Sequence, residues 1–406
     1  MKKIAALAVV LMTAMTMRAT PAAAAGVPIP EDDPFYDVPA DIADYQNGEV
    51  IDSRPIDPKV FEIPIPARGW QLKYRTEDHK GRASATVTTV LVPDAPWKGD
   101  GPRPLLSYQT AEDGVAGKCA PSYAFSAGLA ALSNSYPELG MVALAVQRGW
   151  SVSVPDYEGP QSEFLVAGVQ AKGILDGIRA AENFADAGLS REAPIGLWGY
   201  SGGGLATLTA AQWHPSYAPE LPIAAVAAGA PATDIRASID ALSGSYAGGA
   251  VAMGINGFLR AYPGLDLMQY LSDAGRSKVN ASAGDCIHNA ALRYPLLRIE
   301  QLEAIPHALE QPPVEEMLRD NSPLYIDRVP RAPIYHYHSM LDELAPIRPA
   351  RATMRKFCEH GVVVQHVEPL GLHLTVIATG APGAMRFLAD RFAGKPPINS
   401  CASIPR

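Results

Sequence analysis

Five residues, Gly199-Tyr200-Ser201-Gly202-Gly203, set a serine in the spacing G-x-S-x-G, between an apolar run ending at Leu197 and Trp198 and a run of small residues beginning at Gly204. Read as strand, sharp turn and helix, this is the context in which the spacing carries chemistry. The reason is steric. A serine in a strained turn brings strand and helix so close that the positions two residues to either side admit only hydrogen. An ordinary serine in a glycine-rich turn is the competing reading, and the flanking pattern decides against it. A serine at its free pKa is a weak nucleophile, so it needs a base to take its proton and an acid to orient that base. Together the three perform acyl transfer.

On such a scaffold the partners follow the serine in the order acid, then histidine. Of nine histidines, His79 precedes the core, His214 lies on the helix after Ser201, and His288 and His307 fall in a long insertion. His336, His338 and His366 read as packed or edge residues of strands. His373 ends the loop Glu368-Pro369-Leu370-Gly371-Leu372-His373, after the last strand and before a helix expected over 380–392. That is where the base belongs, with His360 and His366 as alternatives. The preceding loop offers Asp342 and Glu343; Asp342 is preferred, Glu343 is expected to be solvated, and Asp156 is a reserve. The developing oxyanion needs donors aimed at it. The backbone N–H of Gly202 is one, and the loop 108–114 must supply the other, from Asp113 or a neighbouring amide.

Elements placed to carry these loops are readable in order. A polar turn at His79-Lys80-Gly81-Arg82 joins strands over 70–76 and 83–92 into a hairpin. Further strands are expected at 104–108, 151–155, 194–197, 223–228, 334–338 and 362–367, with helices at 141–148, 168–184, 204–213, 349–358 and 383–392. Short apolar strands alternating with amphipathic helices predict an α/β protein, its mostly parallel sheet covered on both faces. A hairpin leading into such a sheet, with a nucleophile elbow, is the layout of an α/β-hydrolase. About a hundred residues separate the strands ending near 228 and starting near 334, far more than a crossover needs. The resulting division is an N-terminal arm at 26–66, a core at 67–233 and 326–406, and an inserted cap at 234–325 with helical stretches at 302–309 and 314–319.

The first 25 residues carry Lys2 and Lys3, an apolar run from Ile4 to Met17, Arg18 and the alanines 22–25. This is the form of a secretory signal peptide cut after Ala25. The run is shorter than the roughly 20 residues a spanning helix needs, and stable membrane insertion is not expected. Loss of Lys2, Lys3 and Arg18 leaves 42 acidic against 31 basic residues, a formal charge of −11, which argues against nucleic acid as a partner. Cys119, Cys286, Cys358 and Cys401 suggest two disulfides in an exported chain, with three connectivities open. None has C-x-x-C spacing, and neither metal nor organic cofactor is expected.

Over nearly the whole mature chain the sequence resembles the secretory lipases of the lipase A type. The likeness is carried by Asp33-Pro34-Phe35-Tyr36, Ser107-Tyr108-Gln109 with Glu112-Asp113, Cys119-Ala120-Pro121-Ser122-Tyr123, Pro155-Asp156-Tyr157-Glu158-Gly159-Pro160, the elbow, Asp342-Glu343 with Pro346, and Gly380-Ala381-Pro382 with the run from Ala389 to Pro396. The resemblance implies a triad of Ser201, Asp342 and His373, an oxyanion hole from Asp113 and Gly202, and disulfides Cys119–Cys286 and Cys358–Cys401. It implies a secreted serine hydrolase acting on ester or lipid substrates, as a triacylglycerol lipase or carboxylesterase. The chain departs from the family pattern at His338-Ser339-Met340-Leu341, where Gly-Thr or Gly-Ser is usual just before the acid loop, and at Leu372, where a glycine usually precedes the base. An acyltransferase using the same acyl-enzyme is the nearest alternative. An exported peptidase is weaker, since the small, apolar insertion offers little to a charged peptide terminus, and a scaffold that lost the chemistry would lack or displace one of the three residues.

Overall fold

The computed structural model describes residues 27–131 and 133–406; the expected leader lies outside the described residues. Its strands are β1 (Val50–Ile56), the short pair β2 (Lys59–Val60) and β3 (Ile63–Pro64), β4 (Ala67–Glu77), β5 (Ala83–Pro93), β6 (Leu105–Gln109), β7 (Ser151–Pro155), β8 (Ile195–Tyr200), β9 (Ile223–Gly229), β10 (Ile334–Tyr337) and β11 (Val364–Val367). Helices are α1 (Pro121–Ala127), α2 (Ser135–Gln147), α3 (Ala167–Asn183), α4 (Gly202–Tyr217), α5 (Ile235–Leu242), α6 (Gly249–Ala261), α7 (Asp273–Ala281), α8 (Ile287–Arg293), α9 (Pro312–Asp320), α10 (Ile347–Glu359) and α11 (His373–Phe392).

Nine strands form one sheet in the order β1-β4-β5-β7-β6-β8-β9-β10-β11. Pairing is antiparallel from β1 to β7 and parallel from β7 to β11. In the parallel part successive side chains alternate between two apolar layers. Leu106, Tyr108, Trp198, Tyr200, Tyr335 and Tyr337 face α1, α2 and α11, whereas Leu105, Ile195, Leu197, Val226, Ile334 and Val364 face α3, α4 and α10. Both faces are covered, so these strands are mostly buried and largely apolar, with a few buried polar residues such as Ser107, Gln109 and His336. Burying one Leu or Phe in such a layer contributes about 1.5–3 kcal/mol. Because β6, β8, β10 and β11 run parallel, the loops that follow them emerge at one edge of the sheet, which is why residues distant in sequence can converge there.

Three readings of the sequence need correction. The arm at 26–66 is not only a surface strap: β1 adds to the sheet edge, with Pro55 opposite Trp70, because an edge strand tolerates a residue lacking an N–H. The helix expected over 302–309 is absent; a bridge between Leu271 and Glu303 and a single turn at Ala308–Glu310 stand there, with Pro306 between them opposing continuous helix. The last helix starts at His373, well before 380, and runs through Gly380 and Pro382. Those residues read as breakers, yet Gly380 and Gly383 are where Tyr337 and Tyr335 press on the helix, leaving no room for a Cβ.

Between β9 and β10 the chain folds into α5 to α9. Two apolar clusters hold this segment, one around Phe258, Val314 and Met317 and one around Val251, Leu271 and Leu302. Disulfide Cys119–Cys286 ties it to the loop after β6, and Cys358–Cys401 ties the C-terminal tail to α10. Among the described residues no helix is long and apolar enough to cross a membrane.

Candidate active site

Ser201 lies between the last residue of β8 and the first of α4, at φ 55° and ψ −121°. A non-glycine residue held in that region is strained, and the surroundings must over-determine it. They do so by contact: a Cβ at Gly199 would overlap the Gly203 carbonyl, and one at Gly203 would overlap the Gln109 carbonyl. The serine N–H donates to the Gly229 carbonyl of β9 at 2.9 Å. Its hydroxyl therefore stands at the N-terminus of α4, where the first N–H groups have no partner within the helix.

His373 opens α11. Its Nε2 is 2.7 Å from Ser201 Oγ and its Nδ1 is 2.7 Å from Asp342 Oδ2. The same histidine is held through its backbone: its N–H donates to Glu343 Oε2 at 2.9 Å, and its carbonyl accepts from the Tyr200 hydroxyl at 2.6 Å. Asp342 is fully buried at its carboxylate. Burial works to raise its pKa, but hydrogen bonds from His338 and His373 outweigh that and hold it well below the usual carboxylate range. Oδ1 accepts the backbone N–H groups of Leu344 and Ala345 at 3.0 and 2.8 Å, and His338 Nε2 lies 3.3 Å from Oδ2.

The loop after β6 faces Ser201 from the other side. Asp113 has φ 36°, is buried, and has one carboxyl oxygen, Oδ1, without a hydrogen-bond partner. That oxygen lies where a Cβ on Gly202 would be. Burial pushes its pKa up to about 6, against a smaller lowering by His373. The loop is fixed by Glu138 of α2, which accepts the Ala111 N–H and the Tyr108 hydroxyl, each at 2.8 Å. It is also fixed from α8, where the Ile287 N–H donates to the Asp113 carbonyl at 2.9 Å. Above the serine opens a cavity reaching Ser201, His373 and Asp113, with largely apolar walls that include Ile239, Val251, Ile255, Phe258, Leu271 and Met317.

The model of the secretory lipase family matches residues 125–400. The chain belongs to that family. A probable inactive lipase of Mycobacterium tuberculosis is 35% identical over 375 residues, which span 91% of this chain and 83% of that protein. Lipase 10 of Candida albicans is 32% identical over 394 residues, 93% of this chain and 84% of its own. Among solved structures, Candida antarctica lipase A matches with a TM-score of 0.86 at 30% identity, covering 94% of this chain and 90% of the other. The fold is that of the α/β-hydrolase lipases, and the family supports an ester hydrolase.

The residues expected from the sequence separate cleanly by their positions in the structure. Ser201, His373 and Asp342 come together, with Gly202 and Asp113 beside the serine. The alternatives do not. His366 pairs with His336 and Glu368, His360 bonds the Lys356 carbonyl at an exposed position, and Asp156 accepts from the N–H and hydroxyl of Ser122. Glu343 is not merely solvated: it holds the start of α11 and accepts from the Tyr246 hydroxyl at 3.1 Å. Two roles went unread, that of His338, which reads as a packed strand residue, and that of Glu138. His338 reaches the triad carboxylate, and its signal was the i, i+4 spacing to Asp342 across a strand end. Glu138 braces the oxyanion loop from a helix that the sequence pattern began six residues too late.

Proposed function

We propose that this protein is a secreted serine hydrolase of carboxylic esters that works through an acyl-enzyme on Ser201. The observation carrying this reading is the unbroken chain of short hydrogen bonds, Ser201 Oγ to His373 Nε2 at 2.7 Å and His373 Nδ1 to Asp342 Oδ2 at 2.7 Å. His373 takes the serine proton as Oγ attacks the ester carbonyl, and Asp342 stabilises the imidazolium. The oxyanion that forms is received by the N–H of Gly202 and the backbone N–H of Asp113, since a carboxylate would repel it. Collapse expels the alcohol, protonated by His373 Nε2. Water, activated by the same imidazole, then attacks the acyl-enzyme and releases the acid.

An apolar cavity opening on the serine supports an acyl chain as its occupant and favours a lipase or carboxylesterase. Residues 234–325 supply much of that lining and act as the cap. Export is supported by the leader pattern and by two disulfides, which persist in oxidising compartments. A scaffold without activity, as the name of the Mycobacterium tuberculosis relative describes that protein, has no need of a serine, histidine and aspartate in hydrogen-bonding register. The test is hydrolysis of p-nitrophenyl esters of increasing chain length by wild type and Ser201→Ala. The variant should lose at least about 10⁴-fold in kcat, and equal rates in the two proteins would remove the nucleophile. A preference confined to the shortest chains would make it an esterase.

A further inference from the structure

The run Asp156-Tyr157-Glu158-Gly159 follows β7, and the triad makes no use of it. Asp156 anchors the run instead of serving as the acid. Its N–H donates to the Val87 carbonyl of β5 at 2.8 Å, its carbonyl accepts from the Thr86 hydroxyl at 2.7 Å, and its carboxyl group holds Ser122. The anchored backbone delivers Tyr157 to a fully buried place beside Gly173 of α3. There its hydroxyl donates to the Thr110 carbonyl at 2.7 Å and accepts the Glu112 N–H at 3.2 Å. The same N–H also reaches the same carbonyl, at 2.8 Å. Thr110, Ala111 and Glu112 therefore form a three-residue turn, with the phenol closing it from outside. Asp113 comes next, at φ 36°.

We propose that Tyr157 is a positioning residue of the oxyanion hole, its hydroxyl locking the turn that aims the Asp113 N–H at the reacting carbonyl. This role presupposes Ser201 as the nucleophile and that N–H as the second oxyanion donor. A non-glycine residue at positive φ persists only where its surroundings fix it. Tyr157 fixes the peptide groups just before Asp113, together with Glu138, which accepts the Ala111 N–H at 2.8 Å. Beyond Asp113 the chain is held by Ile287, and more loosely by Glu158, which accepts the Gly114 N–H at 3.4 Å. The N–H groups of Ala111, Glu112 and Gly114 thus all have partners, whereas that of Asp113 donates to nothing among the described residues. A loop braced on both sides of one free N–H is pre-organised to bind an anion there. Burial, with Asp113, Glu158 and Glu112 adding to it, raises the Tyr157 phenol well above its ordinary range, so it remains a donor. Tyr157 does not line the cavity above Ser201, and its effect on the reaction must pass through the loop.

The test compares wild type, Tyr157→Phe and Tyr74→Phe as full chains on soluble p-nitrophenyl butyrate. Rates are taken per serine titrated by a p-nitrophenyl phosphonate, so that misfolded protein is not counted. Tyr74 is the control, an equally buried tyrosine whose hydroxyl donates to the Gly173 carbonyl at 2.6 Å and not to the loop. Deleting an oxyanion donor outright costs about 10²–10³-fold, so removing its support in Tyr157→Phe should lower kcat by about 10- to 100-fold. Acylation and deacylation use the same hole and slow together, leaving KM within about two-fold. Affinity for butylboronic acid, whose adduct with Ser201 is tetrahedral and anionic, should fall by the same factor as kcat. The acid limb of the pH profile, set by His373, should stay in place, and Tyr74→Phe should keep kcat within about two-fold. Where Tyr157→Phe leaves no titratable serine, Ala111→Gly decides: it frees the centre of the turn and should lower kcat and boronate affinity together by about two- to five-fold. Unchanged kcat per site, a loss carried in KM, unmoved boronate affinity, a shifted acid limb or an equal loss in Tyr74→Phe overturns the proposal. Activity retained by Ser201→Ala would instead remove the nucleophile.

Discussion

Carboxyl groups buried on the two sides of Ser201 are treated in opposite ways. On the side of the base, Asp342 receives two backbone N–H groups and faces two imidazoles, and it stays ionised. On the oxyanion side, Glu138 is pushed up to about 8 and Asp113 to about 6, in both cases first by burial. Burial likewise drives Glu112 and Glu158 well above the usual range and raises Asp156. Burial alone favours the neutral carboxyl, and only several donors to one carboxylate reverse that. The difference suits the chemistry. A fixed negative charge next to His373 stabilises the imidazolium, while a negative charge next to the nascent oxyanion would oppose it, and on that side burial disfavours the ionised form both of Glu138, the hydrogen-bonding brace, and of Asp113, whose Oδ1 has no partner.

Removing the charge on the first side breaks the comparison most severely. Asp342→Asn should lower kcat by about 10⁴-fold, because the amide cannot both accept from His373 Nδ1–H and support its positive charge. The neighbouring carboxylate cannot stand in, being engaged by the Tyr246 hydroxyl and the His373 N–H. Glu343→Gln should therefore cost far less, since an amide oxygen still accepts that N–H. Steady-state kinetics on a soluble ester separates the two, and equal losses would mean that the acid has been assigned to the wrong residue.

His338 is a positioning residue, and its effect should be smaller. Its ring is fully buried, with Nε2 2.8 Å from the Ala345 carbonyl and 3.3 Å from Asp342 Oδ2. A hydrogen bond to a charged group contributes about 1.5–3 kcal/mol, so His338→Leu should reduce kcat by about 10- to 100-fold with KM unmoved. His338→Gln restores a donor and should recover most of the loss. A merely structural role would leave both variants equally impaired or would raise KM alongside.

What was legible in the sequence follows the same line between local and distant causes. The elbow was readable because one of its glycines, Gly199, answers a contact only four residues away, with the Gly203 carbonyl, although Gly202 and Gly203 answer the distant end of β6 and the loop after it. The order of acid and base was readable because parallel strands put successive loops at one sheet edge. His338 was not, because a histidine at a strand end looks the same whether it packs or donates; only the fold of the loop back over it brings Asp342 Oδ2 within reach. The helix α6 was hidden in Gly249-Ala250-Val251-Ala252-Met253-Gly254, where two glycines and a β-branched valine offset the good helix formers Ala250, Ala252 and Met253. Close approach of Gly249 to the Ala290 carbonyl is what selects small residues there, and that is a tertiary cause. Strand β1 was hidden for the converse reason: prolines that argue against a central strand are compatible with an edge.

The mildest way to sharpen the contrast is to make one brace permanently neutral. Glu138 is fully buried, and its pKa is raised from 4.5 to about 8 by burial, against smaller lowering by the Ala111 N–H and the Tyr108 hydroxyl. Its folded-state pKa lies above the unfolded one, so between those values the folded protein holds a proton that the unfolded chain has lost. Its contribution to stability is fully present below about pH 4.5, declines by about 1.4 kcal/mol for each pH unit on the way to 8, and is gone above that. Glutamine reproduces the protonated acid, its oxygen accepting from Ala111 and its amide donating to Tyr108. Urea unfolding at about pH 5 and about pH 9 should therefore find Glu138→Gln close to wild type in acid and more stable by a few kcal/mol in alkali. Parallel profiles for the two proteins would mean that Glu138 is ionised in its buried site, and that the two sides of Ser201 differ less than their surroundings require.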